Sequence, residues 1–460
     1  MYDVVIIGAG FAGLTAARTI LKTASTARVL VLEAQSRLGG RCLTSRDFGG
    51  PVDIGCSWIH GYKEGSVVRQ LTDELGVKCY VPNKGKGCVI SGGKTLDADV
   101  AGKLSKNLSA ALTAAASTSS PSPSSSLASS PERSRSEWAY NLEDVSLQWF
   151  GYEDSAKGTD AAIVGGYDKL VKKLADDVKT MGGEIQLGAK VESVKLGEKQ
   201  GAPVEISIAN ANGKQTYSSR LVLSTIPLSL LQKSHAQLFS NMSARKAHAI
   251  DFTHVGKLGK LVVSYDEAWW PSDIGAFTIL PIEPTSSNGD VPTDDLEQLL
   301  KTVPLVVSSF AIKSAPADVQ PAPATHPTLL IYLPVPVVQH LEGRSATEIG
   351  QAMHAYLSTS LPSAKPCPSS PKHSVLTNWA YDPYSLGATS TPLTVESVSK
   401  GITPASFIEL GRPETLGAAD GKPRVLFAGE HTSVNNRGSV TGAVESGLRE
   451  GRRAVQLLNL

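Results

Sequence analysis

The stretch that most constrains this chain stands at its start. "VVIIGAGFAGLTAARTI" reads as an apolar strand, a glycine turn and an alanine-rich helix. Gly8, Gly10 and Gly13 are spaced as G-x-G-x-x-G. Gly8 permits the tight turn, Gly10 lets the backbone approach a pyrophosphate, and Gly13 lets the helix pack close to the strand. The helix then turns its free N–H groups toward the phosphates. A second strand, "ARVLVLEA", brings Glu33 to a point 20 residues beyond Gly13. A carboxylate there accepts hydrogen bonds from adenosine ribose hydroxyls and repels a 2′-phosphate, which disfavours NADP. The competing explanation is a chance glycine turn beside an exposed strand-end glutamate. The pattern predicts an α/β, Rossmann-like dinucleotide-binding unit.

The next residues separate two dinucleotides. "AQSRLGGRCLT" adds a second glycine turn, Gly39 and Gly40, and the guanidinium of Arg41. NAD does not require them. FAD does, because its pyrophosphate and ribityl chain run onward through the protein. The planar fork of Arg41 suits phosphate neutralisation; otherwise it is an ordinary surface arginine.

The chain has 460 residues, 41% of them hydrophobic, enough for two or three domain-sized units. A formal net charge of +1 lacks the concentrated basic excess of a nucleic-acid binder. Five cysteines, widely spaced and without a CxxC, argue against a metal site or a disulfide framework and for a reducing compartment. No charged n-region precedes the first strand, and no window approaches the roughly 20 apolar residues of a membrane helix. The expectation is a cytoplasmic protein without a membrane partner. Oligomeric state is not set by these features.

Rossmann-like character returns near residues 181–264 and in the C-terminal segment. The expected division is a nucleotide-binding unit from 1–78, 181–264 and 401–460, and an α+β substrate-binding unit from 79–180 and 265–400. Within the latter, the Ser/Pro/Ala-rich run 109–136 is too poor in apolar surface to fold and reads as a disordered insertion. "GGYDKLVKKLADDVKTMGG" shows helical spacing at Leu170, Leu174 and Val178, and "KLGKLVVSYD" reads as a strand with Leu258, Lys260 and Val262 on one face.

Across this framework the sequence resembles the flavin-containing amine oxidases, polyamine oxidases in particular. The resemblance is carried by "VVIIGAGFAGL", "VLEAQSRLGGR", "DIGCSWIHG", "IVGGYDKLVKKLA", "LVLSTIPLSLL", "GKLGKLVVSYDEAWWP", "TNWAYDP" and "LFAGEHTSVNNRGSVTGAVESGLREGRRA", which follow family order over nearly the whole chain. It implies FAD contacts from Gly8, Gly10, Ala12, Gly13, Glu33, Ala34, Gly40 and Arg41, from Cys56 and Ser57, from the backbone of Val191, from Trp379, and from Gly429, Glu430 and Val440. Val440 opens a helix whose N-terminus is expected to point at the flavin. No cysteine stands in "YDPYSLGATST", where covalent family members attach the cofactor, so FAD is expected to be non-covalent.

The implied reaction moves a hydride from the carbon beside an amine nitrogen to the flavin, with oxygen leaving as hydrogen peroxide. The partners are a small amine and O2. Lys260 is the expected catalytic residue: the family places a lysine of "GxxxK" against the flavin, and strand alternation separates it from Lys257. His60, in "SWIHG", is the expected substrate-positioning group, because imidazole titrates near neutrality. Both have plain alternatives, a solvated strand lysine and a turn histidine. Ser439 replaces the tyrosine of many relatives, which weakens a monoamine-oxidase reading. Histone-demethylase-like, amino-acid-oxidase and non-catalytic FAD-binding readings remain as alternatives.

Overall fold

The computed structural model describes residues 1–117, 139–153, 158–197, 202–282, 295–313, 315–317, 319–320, 322–391 and 393–460. Among the described residues, two seven-stranded sheets organise the chain. The first runs in the order Lys190–Leu196, Val204–Asn210, Gly213–Ser224, Tyr2–Ile7, Val29–Leu32, Glu184–Gln186, with Val425–Phe427 paired to the end of Gly213–Ser224. Tyr2–Ile7 lies parallel to both its neighbours. Its side chains alternate: Val4 and Ile6 join one apolar cluster, Val5 and Ile7 another. Both faces of this sheet are therefore covered, as parallel sheets require.

On one face lie the first helix (Phe11–Thr23), the helix Asp168–Thr180 and the last helix (Val440–Leu458), which contribute Leu14, Leu170, Leu174 and Val444. The first and last helices approach very closely. A Cβ on Gly447 would lie 2.4 Å from Ala12 O, and one on Gly451 3.0 Å from Ala16 O. The opposite face carries Leu228–Leu238, Ala244–Phe252 and Pro404–Leu410.

The second sheet runs His373–Asn378, Gly259–Ser264, Thr328–Leu333, Leu305–Ser309, Ile274–Ile279, Lys86–Ser91, Lys94–Thr95. One face packs Leu261, Val263, Trp269 and Trp270 with the helices Leu296–Thr302 and Ala346–Ser360. The other, carrying Val262 and Leu330, meets Phe48, Val52 and Ile54 from the loop that follows the second glycine turn. This second face joins the two sheets.

Several expectations are corrected. Gly259–Ser264, expected in the nucleotide unit, stands in the second sheet. Asp168–Thr180, expected in the substrate unit, packs on the nucleotide sheet with the first helix. The run 109–136 is not wholly irregular: the helix Ala98–Ser117 extends into it, because alanine's helix propensity outweighs the serines there. The rest of that run, from residue 118, lies outside the described residues. The cysteines are not all free, since Cys42 and Cys56 are joined by a disulfide. Lys257 precedes the strand, and its N–H donates to Ala139 O at 2.7 Å.

Candidate active site

The two glycine turns face each other. Gly39 N donates to Ala9 O at 2.9 Å. A Cβ on Gly10 would meet nothing within 4 Å, and one on Gly40 only Gly10 Cα at 3.8 Å. The turns therefore touch, and open space lies on the side of Gly10 where a Cβ would project. The first helix begins at Gly10 with no side-chain cap and no acidic residue in its first turn, so its N–H groups are free for an anion. Gly13 is fixed differently: a Cβ there would sit 2.0 Å from Gly8 O, so only glycine allows the helix this close to the turn. Ala12 is buried against the last helix.

Glu33 is buried at the strand end, with Oε2 accepting from Ala9 N at 2.8 Å and Oε1 from Gln35 N at 2.9 Å. Ala34 follows it, partly buried. Arg41 Nη1 donates to Ala388 O and to Glu430 Oε1, each at 3.0 Å. Its Nε and Nη2 have no partner among the described residues. Glu430 is buried and also accepts from Ser390 Oγ at 2.5 Å and Gly438 N at 2.7 Å. Burial alone would raise its pKa, but Arg41, His431 and these donors outweigh burial and hold it at about 2. The carboxylate of Glu430 thus bridges Arg41 to the turn that opens the last helix. Gly429 donates its N–H to Ser446 Oγ at 2.9 Å, inside that helix. Val440 packs at the edge of the same core, behind the Ser439 cap.

Val191 is buried, and the ladder slips between it and Ser193. Such a bulge takes a residue out of the pairing. Ser224 Oγ, at the cleft end of its strand, is buried without a partner among the described residues.

Lys260 lies where the sheets meet. Its side chain is buried, and Nζ donates to Gly55 O and Ser57 Oγ at 2.6 Å each and to Asp53 O at 3.2 Å. The Tyr332 ring lies 5.3 Å away. Burial lowers its pKa from 10.5 to about 8, against the pull of Asp53. Burial likewise raises Asp53 to about 6, although Thr44 Oγ1 and Tyr167 N donate to its Oδ1 at 2.6 and 2.9 Å. Thr377, opposite Lys260 in the ladder, donates to Ile54 O at 3.0 Å and clamps the strand to the loop. Trp379 follows two residues later, partly buried, its carbonyl accepting from Ser385 Oγ at 3.0 Å.

The structure brings Lys260 onto Gly55 and Ser57, which flank Cys56, and brings Glu33 and the second glycine turn against the first glycine turn, with Arg41 next in sequence to Gly40. His60 stands apart: its side chain is 53% exposed, and Nδ1 meets Asp160 Oδ1 at 3.1 Å. Sequence reasoning missed Asp53, Thr377 and Tyr167. Asp53 was the available signal, as the one acidic residue in "DIGCSWIHG".

An uncapped helix N-terminus at the glycine turn, a strand-end carboxylate held on that turn and a partly engaged guanidinium nearby match the pattern of a dinucleotide-binding unit. The chain belongs to the flavin containing amine oxidoreductase family, whose sequence profile matches residues 11–145 and 136–455. It is 27% identical to the corticosteroid-binding protein of Candida albicans, over 97% of this chain and 94% of that one. It is 22% identical to probable polyamine oxidase 4 of Arabidopsis thaliana, over 97% of this chain and 85% of the relative. It is 25% identical to lysine-specific histone demethylase 1 homolog 2 of the same plant, over 99% of this chain but 59% of the relative. Membership makes the protein an FAD-dependent amine oxidoreductase. Among the described residues, no helix is long and apolar enough to cross a membrane.

Proposed function

We propose that the protein is a polyamine oxidase, acting on spermine, spermidine or their acetylated forms with O2 and releasing an aminoaldehyde, an amine and hydrogen peroxide. The observation that carries this reading is the buried Lys260 seated on the "DIGCSWIHG" loop. Relatives named polyamine oxidases along nearly the whole chain support it.

Bound non-covalently, FAD supplies the acceptor for the hydride that leaves the carbon beside the amine nitrogen. The residues that would hold it are Gly8, Gly10, Gly13, Glu33, Gly40 and Arg41, with Ala12, Ala34, Val191, Trp379, Gly429 and Val440 along the same path. Glu430 acts by orienting Arg41 and the turn at Gly438. Cys56 and Ser57 form the wall beside Lys260.

Protonated Lys260 has all three N–H positions engaged, by Gly55 O, Ser57 Oγ and Asp53 O. Loss of one proton leaves a lone pair at Nζ. With a pKa of about 8, this exchange falls in the working range of a proton acceptor for water or for the substrate ammonium. Only a neutral amine gives up hydride, so an acceptor of this strength serves the chemistry. The His60–Asp160 pair, at the open end of the same loop, suits a distal ammonium of a long cationic chain: the carboxylate supplies charge, and the imidazole a hydrogen bond. We place the enzyme in the cytoplasm.

The test is peroxide release from purified yellow protein given spermine, acetylspermine, benzylamine, leucine or a methylated histone peptide. Peroxide with the polyamines alone supports the proposal. Peroxide with the peptide or leucine alone refutes it.

A further inference from the structure

The covalent link between Cys42 and Cys56 has no role in the reaction above, yet its position is specific. Cys42 directly follows Arg41, which the function proposed above places on the FAD phosphates. Cys56 lies between Gly55 and Ser57, which seat Lys260 Nζ. The two segments run side by side: Cys56 N donates to Arg41 O at 3.2 Å, and Gly55 N to Leu43 O at 3.0 Å. They touch closely enough that a Cβ on Gly55 would lie 2.2 Å from Arg41 O. The Cα atoms of the two cysteines are 5.0 Å apart, within the span a disulfide bridges. The other cysteines, Cys79, Cys88 and Cys367, are free.

The bridge closes a loop of sequence separation 14. Inside that loop Thr44 and Ser45 already pair with Asp53 and Val52. The loop therefore keeps its own ladder without the bridge. What the bridge adds acts at the loop's ends, where Arg41 and the lysine seat stand.

We propose that Cys42 and Cys56 form a redox site that locks the FAD cradle. Bridged, they tie the arm that carries Arg41 to the arm that seats Lys260, and FAD is retained. As thiols, they leave the two arms joined by backbone hydrogen bonds alone, and FAD leaves faster. This rests on the FAD-dependent oxidase reading above. Reduction begins when a dithiol's thiolate attacks the sulfur of Cys56, the less buried residue of the pair. Cys42 departs as a thiolate and takes a proton. The reagent's second thiol then displaces Cys56, so two electrons enter the protein and the reagent leaves as a cyclic disulfide. Hydrogen peroxide, the oxidase's own product, reverses this. One thiolate takes an oxygen to become a sulfenic acid, with one water formed. The second thiol displaces the sulfenic oxygen as another water, so two thiols and one peroxide give one disulfide and two waters.

The experiment uses yellow holoenzyme, treated either with one equivalent of peroxide or with a dithiol, then desalted. Thiols are titrated after denaturation, and FAD dissociation is followed by free-flavin fluorescence on dilution. The expected results are three thiols after peroxide and five after reduction, with dissociation at least 10-fold faster in the reduced protein. Peroxide restores slow release to reduced parent protein but not to the Cys42→Ser, Cys56→Ser double variant. Five thiols after peroxide, or equal dissociation rates in the two states, overturns the proposal; reduction of the parent alone decides it if the variant fails to fold. A protein that binds no FAD in either state refutes the flavoprotein reading instead.

Discussion

Replacing Lys260 with methionine separates catalysis from stability. Methionine keeps the length and apolar bulk of the lysine stem but removes its charge and its donors. The gap between 10.5 and about 8 means that burial, less the attraction of Asp53, costs the ammonium about 3 kcal/mol. Methionine escapes that cost but removes the donor to Gly55 O, Ser57 Oγ and Asp53 O, at about 1 kcal/mol each. At pH 7 these effects oppose one another, and the variant should fold with little net change. A lysine whose folded pKa lies below its unfolded value binds fewer protons in the folded state. Its stability contribution therefore improves as pH rises from about 8 to 10.5. Between pH 7 and 9.5 the parent should gain about 2 kcal/mol over Lys260→Met. Lys246, which burial lowers to about 7, is present in both proteins and cancels. Urea unfolding at the two pH values measures the difference. Turnover should fall about 10²- to 10⁴-fold, with the flavin absorbance retained. Parallel stability profiles would show that Lys260 stays charged in the fold. Unchanged turnover would remove it from the chemistry.

Other substitutions test the cradle and the substrate end. Gly447→Ala gains about 1 kcal/mol of helix propensity but drives a methyl into Ala12 O, so it should lower Tm; Gly102→Ala, with nothing within 4 Å, should raise it, and the reverse order would refute the packing argument. Glu33→Gln replaces one of two acceptor oxygens by a donor facing a backbone N–H, and FAD should bind about 10- to 100-fold more weakly by titration. His60→Ala should raise KM for polyamines with kcat nearly unchanged, and an unchanged KM would return His60 to a turn role.

What the sequence disclosed followed from locality. Gly8, Gly10, Gly13 and Glu33 lie on one strand–turn–helix–strand unit, so their spacing alone brings Glu33 to the glycine turn. Lys260 was legible as an inward strand position beside Val262, although choosing it over Lys257 took the family resemblance. The lysine's seat was not legible. Asp53, Thr377 and Tyr167 come from segments far apart in the chain, and only packing joins them. The Cys42–Cys56 pairing was hidden for the same reason: an odd cysteine count without short spacings gives no sign that two of them lie on adjacent arms. The helix through Ser117 rests on alanine's local preference, which the serine-rich composition of the run masks. The crossing of Gly259–Ser264 into the second sheet leaves no mark in its own residues.

The contact of Gly447 and Gly451 with the first helix also bears on how the protein is made. Phe11 and Val440 are separated by about 430 residues, which ribosomes add at about 5–20 per second. The small-residue face of the first helix must then wait on the order of 20–90 seconds for its lid to emerge. During that interval nascent chains are open to chaperones, and early termination anywhere before the last helix leaves a nucleotide cleft with a missing wall.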